Sequence, residues 1–221
     1  MDVLSLIVSE SEDVNELPEP IKAHIQDVTS REYEYRDNSV HVTELLYCLR
    51  KAYYRRMARK SGDNLEEGLD KKWYLYRGLI FDELWTGLFP RNQVRITHRI
   101  PEGPTIVGRI DFIHDGVLYE LKTISNGYAI KDGPKEQHVK QALFYAWVEN
   151  VKRVRLIYVH LGGVKIYEID TSRAYEVVKE LEERARKLWS AIKTMQPPER
   201  EESWECKYCE FREICLGGDS R

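Results

Sequence analysis

Two acids and a lysine, Asp111, Glu120 and Lys122, stand among strand-forming residues in the stretch GRIDFIHDGVLYELKT. At its centre Asp115-Gly116 is a strong hairpin signal, because a type I′ turn needs positive φ at both central residues. Counting outward from that loop sets His114 opposite Val117, Ile113 opposite Leu118, Phe112 opposite Tyr119 and Asp111 opposite Glu120. Side chains on a strand alternate with period two. Ile110, Phe112, Tyr119 and Leu121 therefore share one apolar face, expected to be core, and Asp111, Glu120 and Lys122 share the other. Facing carboxylates repel each other unless water solvates them or a cation lies between them. Mg2+ and Mn2+ are hard ions that prefer such oxygen ligands. An ion there could polarise a phosphate and help generate hydroxide from water. Lys122, on the same face, could stabilise developing charge or orient the attacking water. The set suits phosphodiester hydrolysis; the plain alternative is an exposed sheet face with unpaired charges.

Other residues could join this chemistry. RGLIFDELW carries Asp82 and Glu83 on a predicted helix upstream, where a third acid could complete a metal site or be an ordinary solvated pair. Gln141 and Tyr145 are spaced i, i+4 on one helix face, and Gln137 extends the stripe. Both types can hydrogen-bond a phosphate, and tyrosine can stack on a base; alone, the pair also reads as a surface Gln beside a half-buried Tyr. Arg50, Lys51, Arg55, Arg56, Arg59 and Lys60 follow one another on another helix. They could track a DNA backbone or be a solvated face.

The cysteines form a further set. The tail reads C206-K-Y-C209-E-F-R-E-I-C215, and Cys48 is the one other cysteine. Three clustered thiols and a distant fourth suit an iron–sulfur cluster or zinc, and residue chemistry leaves the two open. Either would staple the first helix to the tail.

The elements that must position these residues follow from patterning. Residues 1–40 read as acidic and irregular with a break at LPEP (17–20), apart from MDVLSLIVSESED, which reads as a first strand or helix. TELLYCLRKAYYRRMARK predicts one helix with Thr43 as N-cap. SGDNLEEG (61–68) reads as a loop, and a second helix is expected over 70–88. QVRITHRI (93–100) alternates as a strand, PEGP (101–104) turns, and the hairpin follows. After a break at KDGP (131–134) comes a helix over 135–150, two strands over 153–161 and 164–170, and a long amphipathic helix over 172–194. A central sheet with helices around it gives α/β or α+β.

Composition sets the bounds. At 221 residues, with 42% hydrophobic and 32% charged residues, the chain can bury a core under a heavily charged surface. A net charge of −3 excludes a bulk polycation, so nucleic-acid binding would need local basic patches. No apolar run approaches the ~20 residues of a membrane span, and the acidic N-terminal stretch lacks a signal peptide's basic region. A cytoplasmic protein without a membrane partner is expected. A phosphate-cradling G-x-x-x-x-G-K-[ST] loop is absent, which argues against ATP use.

Taken in order, G78-x-x-x-D82, G108-R-I-D111, E120-L-K122 and Q141-x-x-x-Y145 resemble the successive motifs of RecB-like nucleases in the PD-(D/E)XK superfamily. With Y47-C48-L-R50 and C206-x2-C209-x5-C215 added, the chain is similar to CRISPR-associated protein four from about Thr43 to Cys215. The resemblance implies an α/β fold across a single domain (1–221). Its RecB-like PD-(D/E)XK nuclease core (70–194) would hold a central mixed sheet flanked by helices, and a helical iron–sulfur region would join 40–60 to 196–216. It implies an iron–sulfur cluster on Cys48, Cys206, Cys209 and Cys215, [4Fe-4S] ahead of [2Fe-2S], and Mn2+ or Mg2+ on Asp82, Asp111, Glu120 and the Leu121 carbonyl. Lys122 would be the catalytic lysine beside Asp111 and Glu120, and Gln141, Tyr145 and Arg50 would contact DNA, the first two alternatively supporting the site. The activity would be exonucleolytic cleavage of single-stranded DNA, typically from the 5′ end, and the partner the CRISPR integrase complex, for which prespacers are trimmed. One departure stands out: the family's first motif usually ends in a histidine ligand, and here Asp82, or Glu83 if the alignment slips by one, holds that place. A DNA-binding or scaffolding subunit with a weakened site is the competing reading.

Overall fold

The computed structural model describes residues 13–30, 38–62 and 68–217. The expectations for MDVLSLIVSESED up to Glu12 and for the middle of the 61–68 loop lie outside them. The chain forms two compact units.

The first unit takes in residues 1–33 and 66–81. Its described part holds helix α1 (Glu19–Thr29) and, as far as Phe81, the helix Leu69–Thr86. His24 meets Tyr76 edge-on at 5.6 Å, and Tyr76 stacks on Trp73 at 5.9 Å. Helix α1 corrects the reading of this region as irregular. Pro20 falls in its first turn, where a missing amide costs nothing because that N–H has no intrahelical partner. The proline marks a helix start, not a break.

The second unit carries a six-stranded mixed sheet, as the α/β reading expects. Strand β1 (Ser39–His41) runs parallel to the start of β3 (Thr105–His114), and β2 (Asn92–Arg99) lies antiparallel along β3. β4 (Val117–Thr123) returns from β3 through the Asp115-Gly116 turn, whose φ values are 49° and 73°. The pairs His114–Val117, Ile113–Leu118 and Phe112–Tyr119 form in the expected register. β5 (Arg153–His160) runs parallel to β4 and is reached through a helix, as a parallel crossover requires. β6 (Gly163–Ile169) folds back on β5.

The expected helix from Thr43 is two. A short α2 (Val42–Leu45) is capped by His41, whose amide donates to Glu44 at 2.7 Å, and α3 (Leu49–Ser61) begins after Cys48. Side chains distant in sequence stabilise the break. Arg184 donates to the carbonyls of Leu45 and Tyr47, each at 2.6 Å, and Glu205 accepts from the Cys48 amide at 3.0 Å. The helix α4 (Leu69–Thr86) enters this unit at Asp82. Helices α5 (Glu136–Glu149) and α6 (Ala174–Thr194) pack on one another, and α3 packs on α6. Val177, Val178, Leu181, Ala185, Leu188 and Ile192 form the buried stripe of α6. They share one core with Ile106, Ile110 and Leu118 of the sheet and Phe144 and Tyr145 of α5. A short α7 (Arg212–Gly217) closes the tail. No helix among the described residues is long and apolar enough to cross a membrane.

Candidate active site

The hairpin buries its apolar set, Ile110, Phe112 and Leu121, with Phe112 stacked on Phe89 at 4.1 Å and on Tyr119 at 4.6 Å; Ile110, however, departs from the expected face and lies in the main core with Ile113 and Leu118. The acidic face departs from the solvated alternative. Ile113 and Leu118, which share it, lie in the main core, and Glu120 is 0% exposed. That face is covered by α5.

Pairing between β3 and β4 stops at Phe112–Tyr119. At the next position the Asp111 carboxylate takes over, its Oδ2 accepting from the Leu121 amide at 2.6 Å. Lys122 Nζ donates to Glu120 Oε1, while Glu120 Oε2 is buried with no hydrogen-bond partner. Burial, then the charge of Asp111, pushes Glu120 well above the usual carboxylate range. Burial likewise raises Asp111, against the opposing pull of Lys122. Burial acts to lower Lys122, but the two acids outweigh it and hold the ammonium raised. Asp82 is the third acid whose charge acts on both Asp111 and Glu120. It is half-buried and takes two hydrogen bonds from Gln93 Nε2, at 3.1 and 3.3 Å, whereas Glu83 is exposed. Gln93 sits at φ 48°, a left-handed backbone that turns its amide towards α4.

Gln141 and Tyr145 are buried, neither at the surface nor half out of it. Gln141 Nε2 donates to the Tyr145 hydroxyl at 3.1 Å, and the Tyr145 ring lies directly over Gly108. A Cβ on Gly108 would stand 2.7 Å from Tyr145 Cε1, so glycine alone fits under the ring. A tyrosine that is 1% exposed cannot stack on a base; this pair braces the site from behind. Burial raises the Tyr47 hydroxyl, with Lys122 and Gln137, one turn before Gln141, acting against it.

Neither reading of the basic run on α3 holds as a whole. Arg56 is buried against Glu44, Arg55 pairs with Glu210 at 2.6 Å, and Lys51 lies 3.6 Å from both Glu205 and Glu210. Arg50 rests against Tyr54, Nε to hydroxyl 3.4 Å. These bonds dock α3 onto the tail, helped by Tyr54 against Phe211 at 5.5 Å between ring centroids. Cys48 at the cap of α3 and Cys206, Cys209 and Cys215 of the tail thus lie on two docked segments, each half-buried. Burial raises the Cys48 thiol. Among the described residues no three His, Cys, Asp or Glu side chains stand as a ready-made metal-ligand set.

His138 and Tyr158 went unnoticed in the sequence. Tyr158 is the partner of Lys122 across β4 and β5, and its hydroxyl meets His138 Nδ1 and the Lys135 amide, both at 2.9 Å. Burial, then Lys122 and Lys135, holds His138 neutral, at about 3. The parallel register of β4 and β5 brings Tyr158 beside Lys122, and the Tyr158 hydroxyl brings in His138 from α5.

The family model of the PD-(D/E)XK nuclease superfamily matches residues 3–216. Curated proteins give no match. Among solved structures, the crystal structure of SSO0001 is similar with a TM-score of 0.63 at 22% identity, over 89% of this chain and 94% of that one. The alkaline exonuclease LHK-Exo from Laribacter hongkongensis is similar with a TM-score of 0.52 at 13% identity, over 72% of this chain and 92% of its own. At these identities both likenesses concern the fold.

Proposed function

Because the chain belongs to the PD-(D/E)XK nuclease superfamily, we propose that it is a metal-dependent exonuclease that degrades single-stranded DNA, from the 5′ end, and trims prespacers for the CRISPR integrase complex. The observation that carries the hydrolytic reading is Glu120 Oε2, a fully buried carboxylate oxygen without a partner, with Asp111 and Asp82 acting on it and Lys122 holding its other oxygen. An unsatisfied buried oxygen is costly, and a hard cation is the partner that this donor set fits. Mg2+ is characteristically held by one or two carboxylates and keeps several waters. Asp111 and Glu120 would hold the ion with the Leu121 carbonyl, and Asp82 would complete the acidic wall. When bound, such an ion polarises the scissile phosphate and makes water more acidic.

The protein's own groups divide the remaining work. Lys122, held protonated by its acids, is an electrostatic stabiliser and not a base; its ammonium offsets charge developing on the phosphate. The Leu121–Asp111 bond fixes the Asp111 carboxylate, and the Gln141–Tyr145 bond holds the ring that lies over Gly108. Neutral His138 and Tyr158 buttress the neighbourhood of Lys122 without adding charge.

The iron–sulfur part of the reading rests on the docking of α3 onto the tail through Glu205 and Glu210. Cys48, Cys206, Cys209 and Cys215 would hold the cluster, whose contribution is to close the fold. The CRISPR part rests on the order of motifs, Y47-C48-L-R50 and the C-x2-C-x5-C tail included.

The test is cleavage of 5′-labelled and 3′-labelled single-stranded DNA by anaerobically purified protein, with Mn2+, with Mg2+ and with EDTA. Metal-dependent products, absent with Asp111→Ala, support the nuclease, and the label pattern gives its polarity. DNA binding without cleavage under any metal would favour the scaffolding reading, with Asp82 as the altered position.

A further inference from the structure

Lys51 of α3 is engaged by acids of the tail; three lysines elsewhere are not. Lys131, Lys135 and Lys165 form no ion pair among the described residues, and all are exposed. They gather around the turn that follows β4. Lys122 pairs with Tyr158 across β4 and β5, and Tyr158 with Lys165 across β5 and β6. Residues in register on neighbouring strands share a sheet face, so Lys165 and, two residues on, Tyr167 lie on the face of Lys122 and Glu120, roughly 10 Å across from the site. Between them the turn Gly127–Ile130 covers Tyr158 and Leu156.

That turn is firmly held. Asn126 Oδ1 caps it by accepting from the Tyr128 amide at 3.0 Å, and the Ile130 carbonyl accepts from the Tyr167 hydroxyl at 3.2 Å. From it Tyr128 projects 72% exposed, with the Lys131 ammonium 4.4 Å from its ring centroid and 3.0 Å from its hydroxyl. Lys165 makes the same kind of contact with Tyr167, at 5.2 Å. Lys135 continues the positive charge inward, since it and Lys122 both act on His138. Asp132, the single acid between Gly127 and Lys135, pairs with none of these lysines.

Lys165 Nζ also donates to the Ile130 carbonyl at 3.5 Å. An exposed aromatic ring on a fixed turn, among cations that no acid neutralises, has the makings of a stacking platform for an unpaired base with its phosphates. We propose that the Gly127–Lys135 turn and the edge of β6 bind the single-stranded DNA flanking the scissile phosphate, with Tyr128 stacked on a base and Lys131, Lys135 and Lys165 on successive phosphates. The proposal deepens the nuclease reading and rests on it for the identity of the ligand. A duplex has no unpaired base to give the ring, so the platform favours single strands.

The experiment is a titration of a single-stranded oligodeoxynucleotide carrying 2-aminopurine, in EDTA, so that binding is read without cleavage. Tyr128→Ala is expected to weaken binding about tenfold and to abolish the stacking quench, while Tyr128→Trp restores both. Lys131→Ala and Lys165→Ala are each expected to lower the slope of log K against log salt by about one. Circular dichroism should be unchanged, because Tyr128 is exposed. Affinity, quench and salt slope all equal to the wild type would overturn the platform, even if the enzyme cuts DNA normally. So would duplex binding falling as much as single-strand binding, or loss only of a protein partner. If the protein cleaves nothing yet shows these binding changes, the nuclease reading fails and the platform stands.

Discussion

The backbone amide of Leu121 donates to Asp111 Oδ2 at 2.6 Å, at the point where β3 and β4 cease to pair. A side-chain carboxylate replaces a rung of the sheet, which fixes the acid beside Glu120. Removing the acceptor strands a buried amide, at about 1–3 kcal/mol. Asp111→Ala should therefore lose both cleavage and melting temperature. Asp111→Asn keeps an acceptor oxygen and loses the charge, so it should melt near the wild type and still not cut. Thermal melts beside a cleavage assay separate the two; full activity in Asp111→Asn would remove Asp111 from the chemistry.

The acids also set a pH dependence. Asp111 and Glu120 lie above their unfolded values, mainly through burial. Their contribution to stability is then fully present below the unfolded carboxylate range and is lost as pH rises through the raised values. Metal-free protein should melt lower as pH climbs from about 5 to 8. Mn2+ should reverse the trend, because a cation favours the ionised acids and binds better as protons leave. A melting curve against pH that is flat without metal, or unmoved by Mn2+, would contradict the assignment.

Gly108→Ala tests the brace behind the site. The new Cβ would stand 2.7 Å from Tyr145 Cε1 and 2.9 Å from its hydroxyl. Overpacking of this kind costs about 1–3 kcal/mol. Displacing Tyr145 should also disturb Asp111, and a shift of ~1 Å there is worth on the order of a hundredfold in rate. Gly108→Ala, Tyr145→Phe combined relieves the hydroxyl contact but leaves the Cε1 clash and strands the buried Gln141 amide, so it should recover neither stability nor activity. Unchanged melting and rate in Gly108→Ala would show that the ring moves freely.

What was legible in the sequence, and what was not, follows from which groups act over short distances. The hairpin was legible because Asp115-Gly116 fixes its register locally, and both residues adopt positive φ. Period two places Phe112 with Tyr119, and Ile113 with Leu118, but it puts Ile110 on the wrong side and does not say what lies upon either face. Glu120 is buried because α5 covers it, and that helix begins beyond the 131–134 break. The split between α2 and α3 was hidden for a similar reason: Arg184 and Glu205, far along the chain, satisfy the groups that the break exposes. Asp82 and Glu83 are equivalent as letters. Gln93 distinguishes them by binding Asp82, from a backbone conformation that nothing in its neighbours announces. The α3 basic run reads as free charge because the acids that engage Lys51 and Arg55 sit far along the chain, in the tail.

The cysteines can be tested apart from catalysis. If Cys48, Cys206, Cys209 and Cys215 hold a cluster, anaerobically purified protein should absorb in the visible near 400 nm, on the order expected of thiolate-bound iron. Cys206→Ala should bleach that band. It should also lower the melting temperature by roughly 10 °C, since opening a loop of this length costs about 4 kcal/mol. Colourless protein containing zinc would place the staple with the other soft-ligand metal, and an unchanged melting temperature in Cys206→Ala would mean that the tail is held by Glu205, Glu210 and Phe211 alone.

The most direct test is Mn2+ binding by wild type and Glu120→Gln, read from the electron paramagnetic resonance signal of free Mn2+, with circular dichroism to confirm the fold. Glutamine preserves the shape and an oxygen for Lys122, and removes the charge from the orphaned position. The expected result is saturable binding by the wild type, lost in the folded variant, together with a fall in cleavage on the order of 10²–10³-fold or more. Equal Mn2+ binding by folded Glu120→Gln, or wild-type cleavage that persists in EDTA, would contradict a metal-dependent centre built on Glu120.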